Sequence, residues 1–241
     1  MAEAVSIRPL HSVDDTRAAS ALFDRIWGER RVMGAPLLRA MAAHGGQVLG
    51  AFDGDELVGA LVGLVGLTED GRPVVHSHIT GVAPDVQHRG VGFRLKRAQR
   101  DWCLARGIDV VTWTMDPMVA RNARFNLHKL GAVGSAFHRD YYGPMEDALN
   151  RGERSDRLEI RWDLRSDRVA AAMQGRVPEP VVTETVTLVR VPEDYHALRE
   201  RDEAEARRWR DRAADELEAV LGSGYQATGF LREGAYVLER R

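Results

Sequence analysis

Cysteine is nearly absent. Cys103 stands alone among 241 residues, so an intramolecular disulfide and a thiolate-built zinc site are both excluded. Beside Trp102 on a helical pattern, it reads as a packed structural thiol. Lysine is scarce as well. Of 34 basic residues all but Lys96 and Lys129 are arginine, a bias that codon usage explains without a functional cause. No charge sign is in large excess: the formal net charge is −2, which argues against nucleic acid or an anionic membrane as partner. Long apolar runs are missing too. The longest uncharged one, residues 57–67, is too short for a bilayer and is interrupted by Gly59, Gly63 and Gly66. Residues 1–8 lack the basic-then-apolar order of a secretory signal, so the expected location is cytoplasmic. No Gly-x-Ser-x-Gly elbow marks a hydrolase, and His76 and His78, two apart with no carboxylate on the same face, do not make a metal site. What remains is an ordinary globular composition, 44% hydrophobic and 29% charged, long enough for one substantial core or one domain with a large extension.

Periodicity orders the chain. Residues 5–10 alternate as a strand. Ser12, followed by Asp14 and Asp15, starts a helix with Ala18, Leu22, Ile26 and Trp27 at helical spacing. Pro36 opens a second, shorter helix. Strands are expected at 47–52, 57–67 and 73–82, the first two joined by the turn Asp53-Gly54-Asp55. A helix from Gly90 to about Arg106 stops at Gly107, and strand 110–115, helix 121–130 and strands 132–138 and 158–164 follow. This is an α/β pattern, though not a pure alternation. Residues 166–180 read as a linker ending in Pro178-Glu179-Pro180. Beyond them lie a strand at 181–191, one long charged helix from Pro192 and a hairpin at 225–238. The expected division is therefore 1–165 and 166–241, with the tail forming its own layer, extending the main sheet or packing on a second subunit, which admits a homodimer.

The strongest motif is Val82-Ala83-Pro84-Asp85-Val86-Gln87-His88-Arg89-Gly90-Val91-Gly92, between a strand and a helix. Its two glycines permit a tight turn and close ligand approach. The first amides of the helix have no intrahelical acceptor, and the helix dipole favours an anion there. A pyrophosphate suits that place, with Arg89 and Arg94 as further charge-assisted donors. A dinucleotide loop is disfavoured, because Leu95 stands where a third glycine belongs and Asp109 precedes its strand rather than following it.

The run resembles motif A of the GNAT acyltransferase family, Gln/Arg-x-x-Gly-x-Gly/Ala, through Gln87, Gly90 and Gly92. The resemblance covers about residues 5–164. It implies the GNAT fold, a central mixed, mostly antiparallel sheet flanked by helices, here with a C-terminal strand-helix-hairpin extension. It also implies acetyl-CoA or another acyl-CoA as co-substrate, with no metal. Ile79, Gly81 and Val82 would then hold the pantetheine arm through their backbone. Gln87, His88, Arg89, Gly90, Val91 and Gly92 would hold the pyrophosphate, and Asn122 would be a further cofactor contact. The run Asn122-Ala123-Arg124-Phe125-Asn126-Leu127-His128-Lys129-Leu130-Gly131 resembles motif B of the same family. The family's tyrosine, often the acid that protonates the departing thiolate, aligns with His128. An imidazolium performs the same task near neutral pH.

Alternatives stay open at the reacting centre. His128 is a thiolate acid or a helix-surface residue without a role, and Tyr141 and Tyr142 are rival acids or strand-end packing. By a period of two, His76, His78, Thr80 and Val82 share one strand face, and His78 is the first choice of general base or, equally, a buried hydrogen-bonded histidine. Asp116 is a base, an amine anchor or, more simply, a helix cap. The implied reaction moves an acyl group to the amine of a small-molecule acceptor. The competing reading is a non-catalytic CoA-binding sensor or scaffold, kept alive by the missing tyrosine.

Overall fold

A computed structural model describes residues 5–28, 33–87, 89–143, 153–176 and 179–241. Its contacts group these into two compact units, one up to Val111 and one from Thr112 onward.

The first unit holds strand β1 (Ser6–Pro9), helices α1 (Val13–Trp27) and α2 (Ala35–Ala43), strands β2 (Gln47–Asp53), β3 (Glu56–Leu67) and β4 (Pro73–Val82), and helix α3 (Val91–Leu104). Ser12 starts α1 with a capping box: its hydroxyl accepts from Asp15 N at 3.0 Å while the Asp15 carboxylate accepts from Ser12 N at 3.1 Å. The stripe that α1 buries is Thr16, Ala19, Leu22 and Phe23, so Ala18 faces outward, one position off the expected spacing. The four strands pair antiparallel in the order β1-β2-β3-β4. Helices α1 and α3 cover opposite faces. A Cβ on Gly59 would meet Val91 and Leu95 of α3, whereas one on Gly81, opposite Ala60, would meet Ile26 and Trp27 of α1. Gly59 and Ala60 are consecutive, and consecutive strand residues point to opposite faces.

Within the core of this unit runs a polar chain that apolar periodicity does not reveal. Lys96 Nζ donates to Ser77 Oγ at 2.8 Å and to Gln99 Oε1 at 3.1 Å, and Gln99 Nε2 donates to Gln47 Oε1 at 2.8 Å. Gln47 Nε2 closes the chain without a partner among the described residues.

The second unit holds β5 (Val110–Met115) from Thr112 on, and helix α4 (Ala120–Ala123), which runs into a π-helix (Arg124–Lys129). Strands β6 (Val133–His138) and β7 (Arg157–Asp163) follow, then helix α5 (Asp167–Met173), strand β8 (Thr187–Arg190), helices α6 (Tyr195–Arg201) and α7 (Glu203–Gly222), and the hairpin β9 (Tyr225–Leu231) and β10 (Ala235–Arg240). Neighbouring strands run β5-β7-β6-β9-β10-β8. Thus the late hairpin extends the sheet, β9 pairing with β6 at Gly134↔Ala227. Three sequence expectations change beyond residue 165. Residues 166–180 are not a plain linker, since Ser166 caps Val169 N and starts α5. The strand expected at 181–191 shrinks to β8. The long charged helix breaks at Asp202, whose extended backbone ends α6 and whose carboxylate caps Glu205 N at 2.9 Å to start α7.

A charge cluster is buried where α6 and α7 meet the end of β5. Arg210, 6% exposed, reaches Asp116 Oδ2 at 3.0 Å, Glu153 Oε2 at 3.3 Å and the Tyr195 hydroxyl at 3.1 Å. Tyr195 in turn donates to Glu153 at 2.9 Å. Burial pushes the Tyr195 hydroxyl up to about 12, so it remains a donor.

Burial also pushes the Lys96 amine down to about 7, against an ordinary 10.5. The unfolded chain keeps that proton over the interval where the folded one sheds it, so stability rises with pH through this window. Cys103, pushed up to about 12 by its own burial, loses stability only above its ordinary 9.0. The urea midpoint of the wild type should therefore rise from about pH 6.5 to about pH 8.5, and Lys96→Met should flatten that rise. Equal slopes in the two proteins would show that Lys96 is not the titrating group.

Candidate functional site

The motif-A segment folds on main-chain bonds. After β4, Val86 N donates to Ala83 O at 3.1 Å, Gln87 N to Pro84 O at 3.4 Å and Arg89 N to Val86 O at 3.3 Å, giving a short 3-10 turn over Pro84–Val86. Gly90 then stands at the N-cap of α3 with φ 77°, in the left-handed region, and Arg94 N donates to its carbonyl at 3.1 Å. Only glycine holds that φ without strain. As N-cap it offers no side-chain acceptor to the first amides of a 14-residue helix, and the space where its Cβ would stand is open. The N-terminal end of α3 can therefore receive an anion on backbone N–H groups.

The side chains around it are partly committed. Arg89 pairs with Asp53 at 2.6 Å, Arg94 donates to Val5 O at 2.9 Å, and Gln87 Nε2 donates to Val82 O at 3.4 Å. Each guanidinium retains further N–H donors. Val91 is buried in the core and anchors the helix start, while Gly92 follows it in the first turn. His88 lies outside the described residues.

Strand β4 departs from strict alternation. Ile79 pairs with Val62 and Ser77 with Gly63, which leaves His78 as an extra residue with no partner in β3. The bulge re-phases the strand. Ser77 faces α3, where it accepts from Lys96, whereas Ile79 and Gly81 lie on the α1 face with Val62 and Ala60. The expectation of one face for His76, His78, Thr80 and Val82 is therefore corrected: His76, opposite Leu64, lies on the α1 face, and Thr80 and Val82, opposite Leu61 and Gly59, lie on the α3 face. His76 and His78 remain neighbours, ring centroids 6.0 Å apart. The His78 side chain is exposed by surface area, yet the chain around it lowers its pKa from the ordinary histidine value through desolvation.

In the second unit His128 sits on the π-helix, where the sequence pattern predicts plain α-helix over 121–130. The widened turn shows in Leu130 N donating to Phe125 O at 3.0 Å, five residues back. Such turns are rare and concentrate at functional sites. The His128 Nδ1 atom is buried without a hydrogen-bond partner among the described residues. Asn122 is exposed on α4. Tyr141 is exposed; its ring lies tilted against His138 at 5.2 Å and edge-to-face with Tyr142 at 4.7 Å between centroids, while the Tyr142 hydroxyl lies 3.1 Å from Thr114 Oγ1. Asp140, at φ 47°, accepts from Ser155 N at 3.2 Å, and Ser155 Oγ accepts from Tyr142 N at 2.7 Å. The Asp-Tyr-Tyr-Gly turn is thus latched to the Ser-Asp-Arg-Leu segment. Asp116 accepts from Met118 N at 2.8 Å, which closes a turn ahead of α4, and pairs with Arg210; the helix cap expected of it is not made, since Val119 is the N-cap of α4 and no side chain caps that helix. Among the described residues no group of three or more His, Cys, Asp or Glu side chains is placed to hold a metal ion, and no helix is long and apolar enough to cross a membrane.

Residues 14–132 match the family model described as the acetyltransferase (GNAT) family. They form a GNAT-family domain. Solved structures agree at the level of fold. A Salmonella typhimurium acetyltransferase described as putative, yncA, solved with its cofactor acetyl-CoA, aligns at TM-score 0.55 and 19% identity, over 68% of this chain and 96% of that one. Arabidopsis thaliana Naa50 in complex with the bisubstrate analogue CoA-Ac-MVNAL aligns at 0.53 and 19%, over 66% and 98%. The Escherichia coli ribosomal-protein-S18-alanine N-acetyltransferase aligns at 0.52 and 16%, over 67% and 94%. No curated protein matches the chain. The shared fold is a mixed sheet flanked by helices, and in this GNAT domain it places the glycine pair of motif A where a strand hands over to a helix.

Gly81 has a packing reason of its own. A Cβ there would come within 2.8 Å of Ile26 Cδ1 and 2.9 Å of the Trp27 ring. Gly81→Ala should therefore cost about 1–3 kcal/mol in urea unfolding, and an unchanged midpoint would show that α1 yields freely at this contact.

Proposed function

We propose that the protein is an acyl-CoA-dependent N-acyltransferase that moves an acetyl or other short acyl group to the amine of a small-molecule acceptor. The observation that carries this reading is the start of α3: a motif-A helix of a GNAT-family domain that opens on a left-handed glycine with no side-chain cap. The acetyl-CoA of the Salmonella structure and the CoA analogue of the Arabidopsis one lend it support.

In this reading the backbone from Gln87 to Gly92 holds the pyrophosphate, with Arg89 beside it. Ile79, Gly81 and Val82 hold the pantetheine arm, and Asn122 adds a contact. Bound acyl-CoA supplies an activated thioester, and a backbone N–H near Ile79 polarises its carbonyl. His78 takes the proton that the attacking amine loses, a task for which a lowered pKa keeps the ring neutral. A carbon–nitrogen bond forms, the carbon–sulfur bond breaks, and the thiolate receives a proton from His128, with Tyr141 as the alternate donor. The second reading, a CoA-binding sensor without turnover, is favoured by the substitution of the family's tyrosine by His128.

Release of free thiol from acetyl-, propionyl- and succinyl-CoA in the presence of an amine pool separates the two readings. Acceptor-dependent release that falls by about 10²–10⁴-fold in His128→Ala fits the acid role, whereas tight CoA binding without turnover on any amine fits the sensor. Gly90→Val places a β-branched residue at positive φ and should weaken acetyl-CoA binding by at least about tenfold, or 1.4 kcal/mol, with circular dichroism unchanged. Wild-type affinity in that variant would remove the pyrophosphate from this turn.

A further inference from the structure

The segment expected as a linker carries an unexpected contact. From α5, Arg168 Nε donates to Gly131 O at 3.1 Å and Arg168 Nη2 donates to Leu127 O at 2.7 Å. The same Nη2 also donates to Thr228 O on β9. Trp162 Nε1 of β7 donates to Leu130 O at 2.9 Å. Three carbonyls at the C-terminal end of the π-helix, those of Leu127, Leu130 and Gly131, are thus bonded by side chains from outside it. Helix ends otherwise leave such carbonyls to water or to a following turn. The packing is equally specific. Gly131 has φ 71°, and an added Cβ would lie 3.0 Å from both Ala172 Cβ and Arg168 O, so α5 rests directly on the backbone that ends the π-helix.

His128 sits between these contacts in sequence, and nothing bonds its Nδ1 among the described residues. Working histidines are usually oriented by an acceptor on the second ring nitrogen. Among the described residues no side chain guides Nδ1, so the ring is placed largely by the main chain that carries it. Half-burying a guanidinium costs desolvation, and burial lowers the Arg168 pKa accordingly. That cost is met by neutral carbonyls, two of which belong to the His128 turn or its immediate continuation.

We propose that Arg168 is a positioning residue for His128, and that α5 and β9, which lie beyond the family-model match, clamp the π-helix so that His128 is held ready to protonate the leaving thiolate. The proposal rests on His128 being the acid of the transfer reaction.

The test compares the wild type, Arg168→Gln, Arg168→Lys, His128→Ala and the His128→Ala/Arg168→Gln double variant. Thiol release from acetyl-CoA with the amine pool is measured alongside the imidazole resonances of His128 in ¹⁵N NMR, assigned by their loss in His128→Ala. Arg168→Gln should lower kcat by about 10–100-fold, leave the KM for acetyl-CoA within about twofold, and move or broaden the His128 resonances while those of His78 stay in place. Lysine, a single-nitrogen donor without the planar fork that reaches these carbonyls from Nε and Nη2, should rescue little. In the His128→Ala background the Arg168 change should have no further effect on kcat. If His128→Ala turns over like the wild type, the acid reading itself is wrong. If His128→Ala is slow but Arg168→Gln keeps wild-type kcat and unmoved His128 resonances, the positioning role is refuted while the acid stands. Loss of the folded state in both Arg168→Gln and Arg168→Lys would also refute it, making the residue a general support.

Discussion

The first amides of α3 have no capping side chain from the residue ahead of them, because that residue must be glycine. Gly90 takes a left-handed conformation that a β-carbon would strain, and the same missing β-carbon leaves no hydroxyl or carboxylate to satisfy the helix start. Ser12 shows the contrast within the same unit, closing the start of α1 with a full capping box. One helix is sealed by its own sequence and the other is left to a ligand or to water. The loop leading into α3 makes this durable: the 3-10 turn is tied by its own main-chain bonds, and Val91 anchors the helix in the core. An anion site built this way depends little on particular side chains, which is why Arg89 and Arg94 can be engaged by Asp53 and Val5 without closing it.

Strand β4 serves two faces at once, and the bulge at His78 is what allows it. With strict alternation Ser77, Ile79 and Gly81 would all point the same way. The extra residue sends Ser77 toward Lys96 on the α3 side and Ile79 and Gly81 to the α1 side, where Gly81 faces Trp27. A buried amine needs its hydrogen bonds, so the Ser77 contact is not optional for the core. The bulge is therefore fixed by packing on both sides, and the unpaired His78 is a consequence of that packing available for chemistry. The same geometry that satisfies a buried lysine removes a histidine from the ladder.

What was legible in the sequence was local. Gly90 and Gly92 announce a helix start without a side-chain cap, because glycine spacing translates directly into backbone conformation. The Ser12 cap and the Asp53-Gly54-Asp55 turn were readable for the same reason. What was missed depends on partners distant in sequence. The β4 bulge needs the register against β3, and a period of two read along one strand cannot contain it. Hydrophobic spacing does not separate a π-turn from an α-turn over six residues, so the widened turn at His128 was hidden. Pro178-Glu179-Pro180 marks residues 166–180 as a linker by composition, but Ser166-Asp167 at its start is a serviceable cap, and the cap decides the structure as α5. Asp202 ends one helix and caps the next, which a stripe of apolar residues running across it conceals. Asp116 closes a turn with Met118 N rather than capping α4, and its pairing with Arg210, 94 residues later, follows only from the fold.

The late segment matters to the second unit through charge as much as through apolar packing. Arg168 is spent on carbonyls of the π-helix, and Arg210 on Asp116 and Glu153. Replacing such buried contacts by apolar packing is often neutral for stability, so their presence is weak evidence of a stabilising role. Their value lies in geometry, since a guanidinium with several acceptors fixes directions that methyl groups leave free. Both arginines act on the chain that follows β5: Arg210 fixes its first residue, Asp116, and Arg168 fixes the turn around His128. Tyr236, on β10, adds a third constraint by donating to Pro117 O at 2.7 Å. A stretch of fifteen or so residues held at both ends by polar contacts has little freedom to re-register, which is the condition under which a rare backbone turn such as a π-helix persists.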